Sequence, residues 1–228
     1  YKDVLVPAAQ GIEADSGNRI KVDLRPQGGF GKPAELFGMA EKGDIEIANT
    51  VQGYLPGRFP QTTVMELPML YDSAVDGTRA MWKMYEEGLF DKDYASVKVL
   101  ALYVLSPYGI FSAKNVATLK DLRGLRIRTP SPTVGLALIR LGAIPVGLPV
   151  NQVGESMAGG VIDAMAFGWD SMLTTPGVGD KKLGDQVKYL ADMRFAAPAL
   201  MEVAYSAAVA FRSRSAISAN SSGKLRWR

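Results

Sequence analysis

Residues 119–169 decide the fold of this chain through three segments in order: LKDLRGLRIRTP (119–130), LGAIPVGLP (141–149) and GGVIDAMAFGW (159–169). Each segment contains a short run of strand-forming residues, and the helical patterns TVGLALIRLG and NQVGESMAGG lie between them. Strands that alternate with helices at this spacing are typical of βαβ units and a mainly parallel sheet. The region therefore predicts an α/β fold.

The remaining segments predict further helices and strands around this unit. Five glycine and proline residues between 51 and 70 predict a structured loop. Helices are predicted at 1–17, 33–43 and 74–87, and strands at 20–25, 44–49 and 97–106, with strand-like runs at 188–193 and 201–211.

Composition excludes several classes of function. The 228 residues are 47% hydrophobic, enough to bury the core of one large domain or two small lobes. The chain has no cysteine and no histidine, which excludes thiol nucleophiles, cysteine-based zinc sites and histidine relays, so we expect no metal and no cofactor. The net charge of +3 comes from scattered residues, which argues against nucleic acid as a partner. No apolar run approaches the roughly 20 residues that cross a bilayer.

Arg128 is the first candidate for chemistry. It lies two residues before Pro130, where the strand must end because the residue before proline avoids helical geometry. Ligands collect beyond the carboxyl ends of strands in open α/β sheets, and the planar guanidinium binds a carboxylate through two parallel hydrogen bonds. The alternative is that Arg126 and Arg128 are sheet-edge or surface ion-pair residues.

Aromatic residues occur near the ends of the predicted strands. Phe167 and Trp169 flank Gly168 directly after the strand VIDAMAF, and Tyr108 and Tyr54 lie in corners rich in glycine and proline. Rings at a strand end can form a wall for an apolar or aromatic ligand. The alternative is ordinary core packing, or for the tyrosines a place in a turn.

Asp163 and Asp170 are the carboxylates nearest this corner. Neither has a partner nucleophile or a set of metal ligands nearby in the sequence, so no catalytic residue is assigned. We expect a structural hydrogen bond at Asp163 and a helix cap at Asp170, and Asp170 stays among the ligand-binding candidates because of its position.

The ordered segments resemble the extracytoplasmic solute receptors of tripartite ATP-independent periplasmic (TRAP) transporters, of the dicarboxylate-receptor type. The resemblance covers residues 1–213 and rests on the ordered set of matching segments. They are GGFGKPAELFGMAEKGDIEIAN, VQGYLPGRFP with MELPML, DLRGLRIRTP, LGAIPVGLP and GGVIDAMAFGW.

The resemblance implies a two-lobed periplasmic binding protein fold of class II type, with mostly parallel sheets flanked by helices and a ligand cleft that closes by a hinge. Residues 1–105 would form lobe I without its usual first strand, and residues 106–192 would form lobe II. Residues 193–213 would return to lobe I, and 214–228 would be a truncated or non-native tail. Family members begin with a strand before the first helix and end with long helices, so we expect the sequence to be a fragment of a longer protein.

The resemblance also implies a function without catalysis. The family's carboxylate-binding arginine matches Arg128, and a further binding position matches Phe167, next to Trp169. Some sialic-acid-type members carry an asparagine and a second arginine where this chain has Phe167 and Tyr108. We therefore expect a less polar monocarboxylate, aromatic or branched, surrounded by these rings and Tyr54. The partners would be this organic anion and the membrane subunits of a TRAP transporter, in the periplasm.

Two other functions remain open from the sequence. One is a small α/β lyase or isomerase that acts on a carboxylate through Asp163, Asp170 or Tyr108, although histidine and cysteine are absent. The other is an amino-acid-type binding lobe of an ATP-driven transporter, which the ordered segments disfavour.

Overall fold

The computed structural model describes residues 5–25, 29–67, 70–168, 172, 187–191 and 206–211. Helices and strands alternate along most of this part of the chain. The α-helices are α1 (Leu5–Asp15), α2 (Leu36–Lys42), α3 (Ala74–Glu86), α4 (Asp91–Tyr94), α5 (Pro132–Arg140) and α6 (Val153–Ala158). The strands are β1 (Ile47–Val51), β2 (Lys98–Val104), β3 (Tyr108–Ser112), β4 (Arg126–Thr129), β5 (Ile144–Gly147), β6 (Ala164–Gly168), β7 (Tyr189–Ala191) and β8 (Ser206–Phe211). Short 3-10 helices cover Gln52–Tyr54, Thr62–Glu66, Leu119–Leu122 and Val150–Gln152.

The strands form two sheets. The first has the order β1-β8-β2, and β8 runs antiparallel to both neighbours. The second has the order β5-β4-β6-β3-β7. In it, β4 pairs in parallel with β5 and β6, while β3 is antiparallel to β6 and β7. The parallel pairing predicted for residues 119–169 is therefore confirmed at β5-β4-β6, and antiparallel pairs arise where β3 and β8 join their sheets.

The strand predicted at residues 20–25 is wrong. Its backbone donors bond to side chains of the preceding helix and turn: the Ile20 N–H donates to Ser16 Oγ (3.1 Å) and the Val22 N–H to Glu13 Oε1 (2.8 Å). Alternating apolar residues are not sufficient for a strand when side chains accept the hydrogen bonds that the backbone N–H groups would otherwise donate to a neighbouring strand.

Other boundaries move by a few residues. The strand predicted at 44–49 begins at Ile47, and the loop predicted at 51–70 contains two 3-10 helices. The helix stop predicted at Gly43 is confirmed, with φ of 80° and N–H donation to the Ala40 carbonyl.

Hydrophobic clusters cover the second sheet on both faces. Ala164 and Ala166 of β6 pack in one cluster with Ile127 of β4, Val134 and Leu138. The alternate β6 residues lie in a second cluster, which contains Phe111, Val153, Met157, Ile162, Met165, Phe167 and Met172. Every residue of β6 is buried, as expected for a strand between two covered faces.

The first sheet has its own core. Phe37, Phe59, Met65 and Met81 pack there with Leu102 of β2. Among the helices of the described ranges, none is long and apolar enough to span a membrane.

Candidate functional site

Arg128 lies at the end of β4, on the opposite strand face to Ile127. Ile127 packs against α5, so alternation directs Arg128 to the other face of the sheet, which Phe167 also shares. Both faces are covered, and Arg128 is only 1% exposed. The sequence prediction of a functional arginine thus falls on a deeply buried charge.

Carbonyl oxygens fix the guanidinium of Arg128. Its Nε–H donates to the Leu148 carbonyl (2.9 Å) and Nη1 donates to the Ala166 carbonyl (3.2 Å). Nη2 lies 3.5 Å from the Tyr54 hydroxyl, a long contact. Of the five N–H donors, one on each terminal nitrogen has no partner in the described ranges, and a carboxylate can bridge these two nitrogens.

No acidic side chain in the described part of the chain lies within 4.0 Å of the Arg128 guanidinium. A buried cation without a counter-charge is costly, because carbonyl dipoles replace only part of its hydration. The arrangement can therefore accept an anion.

Phe167 and Tyr108 form a ring pair beside Arg128. The Arg128 Cζ lies 5.4 Å from the centre of the Phe167 ring, within cation–π range. The Tyr108 and Phe167 rings are stacked with centroids 6.4 Å apart and planes inclined by 9°. Both side chains are buried, which agrees with the core-packing alternative, and their contact with a ligand stays a prediction.

Tyr54 joins the loop after β1 to the second sheet. Its hydroxyl accepts the Val150 N–H (3.2 Å) and lies next to Arg128 Nη2. The 3-10 helix that carries Tyr54 is fixed by a hydrogen bond from Gln52 to the Tyr94 hydroxyl. The structure thus brings together Arg128, Phe167, Tyr108 and Tyr54. The other two predicted residues, Trp169 and Asp170, lie outside the described residues.

Asp163 has a structural role, as predicted from the sequence. It accepts hydrogen bonds from the Arg126 backbone (3.0 Å), the Arg126 Nε (2.9 Å) and Lys114 Nζ (2.9 Å). The Arg126 side-chain hydrogen bond is the main reason that the pKa of Asp163 is held well below its ordinary value. The ion-pair alternative is therefore confirmed for Arg126, whose side chain is 43% exposed, but not for Arg128.

Glu66 and Ser131 form a contact that the sequence did not predict. Ser131 is the N-cap of α5; its Oγ accepts the Val134 N–H (3.3 Å) and donates to Glu66 Oε2 (2.8 Å). Burial raises the pKa of Glu66, while hydrogen bonds with Ser131 and Thr133 act in the opposite direction. The only sequence signal here is Ser131 before Pro132, which indicates a helix start but not its distant partner.

A cavity of about 130 Å³ lies beside this contact. It is lined on the first-sheet side by eight residues and on the other side by the start of α5 with its N-cap: Gln52, Gly53, Leu55, Pro56, Gly57, Phe59, Thr63 and Glu66, and Ser131, Pro132 and Thr133. Among the described residues, no group of three or more acidic side chains could hold a metal ion.

Three solved structures with similar folds are TRAP solute-binding proteins that hold organic acids. A marine metagenome TRAP solute-binding protein in complex with 3-hydroxybenzoate is 29% identical, with a TM-score of 0.81 over 92% of this chain and 63% of that one. A TRAP solute-binding protein from Rhodoferax ferrireducens with copurified benzoate is 28% identical, with a TM-score of 0.78 over 92% and 63%. A TRAP periplasmic solute-binding protein from Bordetella bronchiseptica with bound mandelate is 25% identical, with a TM-score of 0.78 over 92% and 64%.

These likenesses confirm the two-lobed fold and the resemblance to TRAP receptors. The chain spans about half the length of curated relatives that it matches, 51% and 49% for two of them. The family of bacterial extracellular solute-binding proteins, family 7 (DctP), matches residues 1–200. The proteins named in these matches are solute-binding receptors and not enzymes. The chain therefore belongs to the bacterial extracellular solute-binding protein family 7.

Proposed function

We propose that this chain is the ligand-binding part of a periplasmic receptor that captures an organic acid and delivers it to a TRAP-type membrane transporter. The observation that carries the proposal is Arg128, which is 1% exposed and has no carboxylate partner among the described residues. A bound ligand carboxylate would supply the missing charge.

Binding would use the fork geometry of the guanidinium. Leu148 and Ala166 hold two of its nitrogens through their carbonyls, and within the described part of the chain one N–H on each terminal nitrogen would be left for a carboxylate. Two parallel charge-assisted hydrogen bonds are stronger than neutral ones, and closure of the cleft excludes water and strengthens them further.

The ligand class that fits best is an aromatic or branched monocarboxylate. Phe167 and Tyr108 give an apolar ring pair next to the cation, and Tyr54 gives a hydroxyl there. Similar receptors hold 3-hydroxybenzoate, benzoate and mandelate. We include Trp169 and Asp170 in the site because they follow β6 directly.

The two sheets would be the centres of two lobes. We propose lobe I at residues 1–105, lobe II at 106–192 and a returning segment at 193–213, with 214–228 as a tail. The Tyr54 contact with Arg128 would then be one of the contacts that close the cleft.

The rival function, a lyase or isomerase, has little support. Asp163 is engaged by Arg126 and Lys114, and its lowered pKa makes it a poor proton donor or acceptor near neutral pH. Tyr108 is buried in a ring stack. Incubation with a stabilising ligand followed by mass spectrometry would reveal turnover if the enzyme hypothesis were right.

Calorimetry with Arg128→Ala tests the binding proposal, with benzoate, 3-hydroxybenzoate and mandelate as probes. Removal of one member of a buried charge pair costs roughly 2 to 5 kcal/mol, so affinity should fall at least about thirtyfold. Arg126→Ala is the matched control on the same strand and should change affinity less than about threefold, because its partner Asp163 is structural. Unchanged affinity in Arg128→Ala would show that the arginine does not hold the carboxylate.

A further inference from the structure

We propose that Glu66 is a positioning residue for ligand capture: it holds the segment that carries Tyr54 against the N-terminus of α5, and so stabilises the arrangement in which Tyr54 meets Arg128. The inference rests on the proposed function, because it requires a ligand cleft that closes and gives Glu66 a role in stabilising the closed state.

The carboxylate of Glu66 meets the start of a helix from another part of the fold. Glu66 ends the 3-10 helix Thr62–Glu66, is 5% exposed, and accepts the Ser131 hydroxyl at 2.8 Å. Ser131 caps α5, so the same hydroxyl oxygen also accepts a backbone N–H of the helix. Acidic groups are favoured at a helix N-terminus, where backbone N–H groups leave partial positive charge.

Gly53 shows how closely the two segments approach. A Cβ atom at Gly53 would lie 2.7 Å from Ser131 Cβ, 3.0 Å from Glu66 Oε1 and 3.3 Å from the Pro130 carbonyl oxygen. These distances leave no room for a methyl group. The contact is therefore a close-packed junction in which Glu66 makes the polar bond.

Both segments of the junction lead along the chain to residues of the candidate site. Tyr54 follows Gly53 in one segment, and β4 with Arg128 leads into Pro130 and Ser131 in the other. Contacts from Glu66 to Ser131 and from Tyr54 to Arg128 are thus made by the same two segments and would form or break together.

Asp93 anchors the 3-10 helix that ends at Glu66. Its carboxylate accepts the Thr62 N–H (2.7 Å) and the Thr62 hydroxyl (2.9 Å), at the start of the 3-10 helix. The segment cannot shift alone without loss of these buried bonds.

Protonation of Glu66 provides a readout that a merely structural residue would lack. The described side chains that line the adjacent cavity contain no titratable group other than Glu66 itself, and its hydrogen-bond partners are the hydroxyls of Ser131 and Thr133. Burial raises the pKa of Glu66 above its ordinary value of 4.5, and an open cleft would return the carboxyl to water. The closed state is therefore favoured most below that ordinary value and less as pH rises through the raised pKa.

Electron paramagnetic resonance between two spin labels measures closure without a ligand. The chain lacks cysteine, so Val75→Cys in α3 and Leu136→Cys in α5, both exposed, give one label beside each sheet. At pH 5 the parent should populate the short distance of the structure, and Glu66→Ala should lower the ratio of closed to open molecules about tenfold. Glu66→Gln, which keeps an acceptor for Ser131, should restore the ratio to within about threefold and remove its fall with rising pH. Glu86→Ala, an exposed glutamate on α3, should leave the ratio unchanged.

Equal closed fractions in the parent and Glu66→Ala, or a parent without the short distance, would overturn the proposal. Ser131→Gly gives a second route if Glu66→Ala does not fold, because glycine is tolerated as an N-cap but removes the hydroxyl donor; its closed fraction should fall in the same way. Calorimetry with benzoate and 3-hydroxybenzoate is run on the same variants. A parent that closes but binds neither acid would contradict the proposed ligand class and leave the role of Glu66 supported.

Discussion

Arg58 and Arg128 hold the same guanidinium group against aromatic rings, but in different electrostatic surroundings. The Arg58 Cζ lies 4.9 Å from the centre of the Phe37 ring, and its Nη2 lies 2.6 Å from Glu41 Oε1. The Arg128 Cζ lies 5.4 Å from the centre of the Phe167 ring. Among the described residues, the Arg128 guanidinium donates to the carbonyl oxygens of Leu148 and Ala166 and not to a carboxylate. The side chain of Arg58 is 33% exposed, whereas Arg128 is almost fully buried.

The difference separates an arginine that stabilises the fold from one that we propose to bind a ligand carboxylate. Arg58 gains from a counter-ion, a second ring at 5.5 Å and partial hydration. Arg128 has lost its water and has no counter-ion among the described residues, so these surroundings raise the free energy of the ligand-free protein. Both arginines lie against an aromatic ring, so the lack of a counter-charge among the described residues is what distinguishes Arg128 from Arg58.

Substitution by methionine should give opposite effects on stability at the two sites. Arg58→Met loses an ion pair and two cation–π contacts and should lower the free energy of unfolding by about 2 kcal/mol. Arg128→Met removes a buried charge that no described carboxylate pairs with, and it should leave the ligand-free protein unchanged or up to about 2 kcal/mol more stable. Urea denaturation measures both, and a larger loss in Arg128→Met than in Arg58→Met would make Arg128 a structural residue.

Low pH should weaken the ion pair of Arg126, the second arginine on β4. Arg126 lowers the pKa of Asp163, so the carboxylate contributes stability above its ordinary value of 3.8, and the contribution is lost as pH falls below it. Asp163→Asn should cost about 1 kcal/mol at pH 7 and much less near pH 2.

Urea denaturation at both pH values measures the Asp163 effect. Asp76→Asn, at an exposed side chain on α3, is the control and should show a smaller pH-dependent loss. If Asp163→Asn kept its full deficit near pH 2, the ion pair with Arg126 would not be the cause.

Tyr54→Phe should give the smallest effect. It removes the hydroxyl between Arg128 Nη2 and the Val150 N–H but keeps the ring. The contact to Arg128 is long at 3.5 Å, so we expect affinity for 3-hydroxybenzoate to fall only about threefold to fivefold. Calorimetry measures the change, and a loss as large as that of Arg128→Ala would mean that Tyr54 bonds the ligand directly.

Local patterns predicted the parts of the site that depend on strand ends. Pro130 predicted the end of β4 just after Arg128, and the strand ends at Thr129. Asp163 was expected to make a structural hydrogen bond and does so.

The same local patterns could not predict contacts between distant segments. Glu66 and Ser131 are 65 residues apart, and their contact depends on the packing of the two sheets. Residues 20–25 alternate like a strand, but whether acceptors come from a partner strand or from Glu13 and Ser16 is decided by tertiary structure. Burial of Tyr108 and Phe167 likewise follows from coverage of both sheet faces, which a single strand does not reveal.

The position of β8 between β1 and β2 makes the first sheet depend on late synthesis. Ile47 pairs with Phe211, so the two partners are 211 − 47 = 164 residues apart. A nascent chain that has completed β2 still lacks β8, the strand that pairs with both β1 and β2, and non-local pairing of this kind is slow. The first sheet is therefore finished only after the second has been synthesised, and a chain ended before residue 206 would leave β1 and β2 with exposed facing edges prone to aggregation.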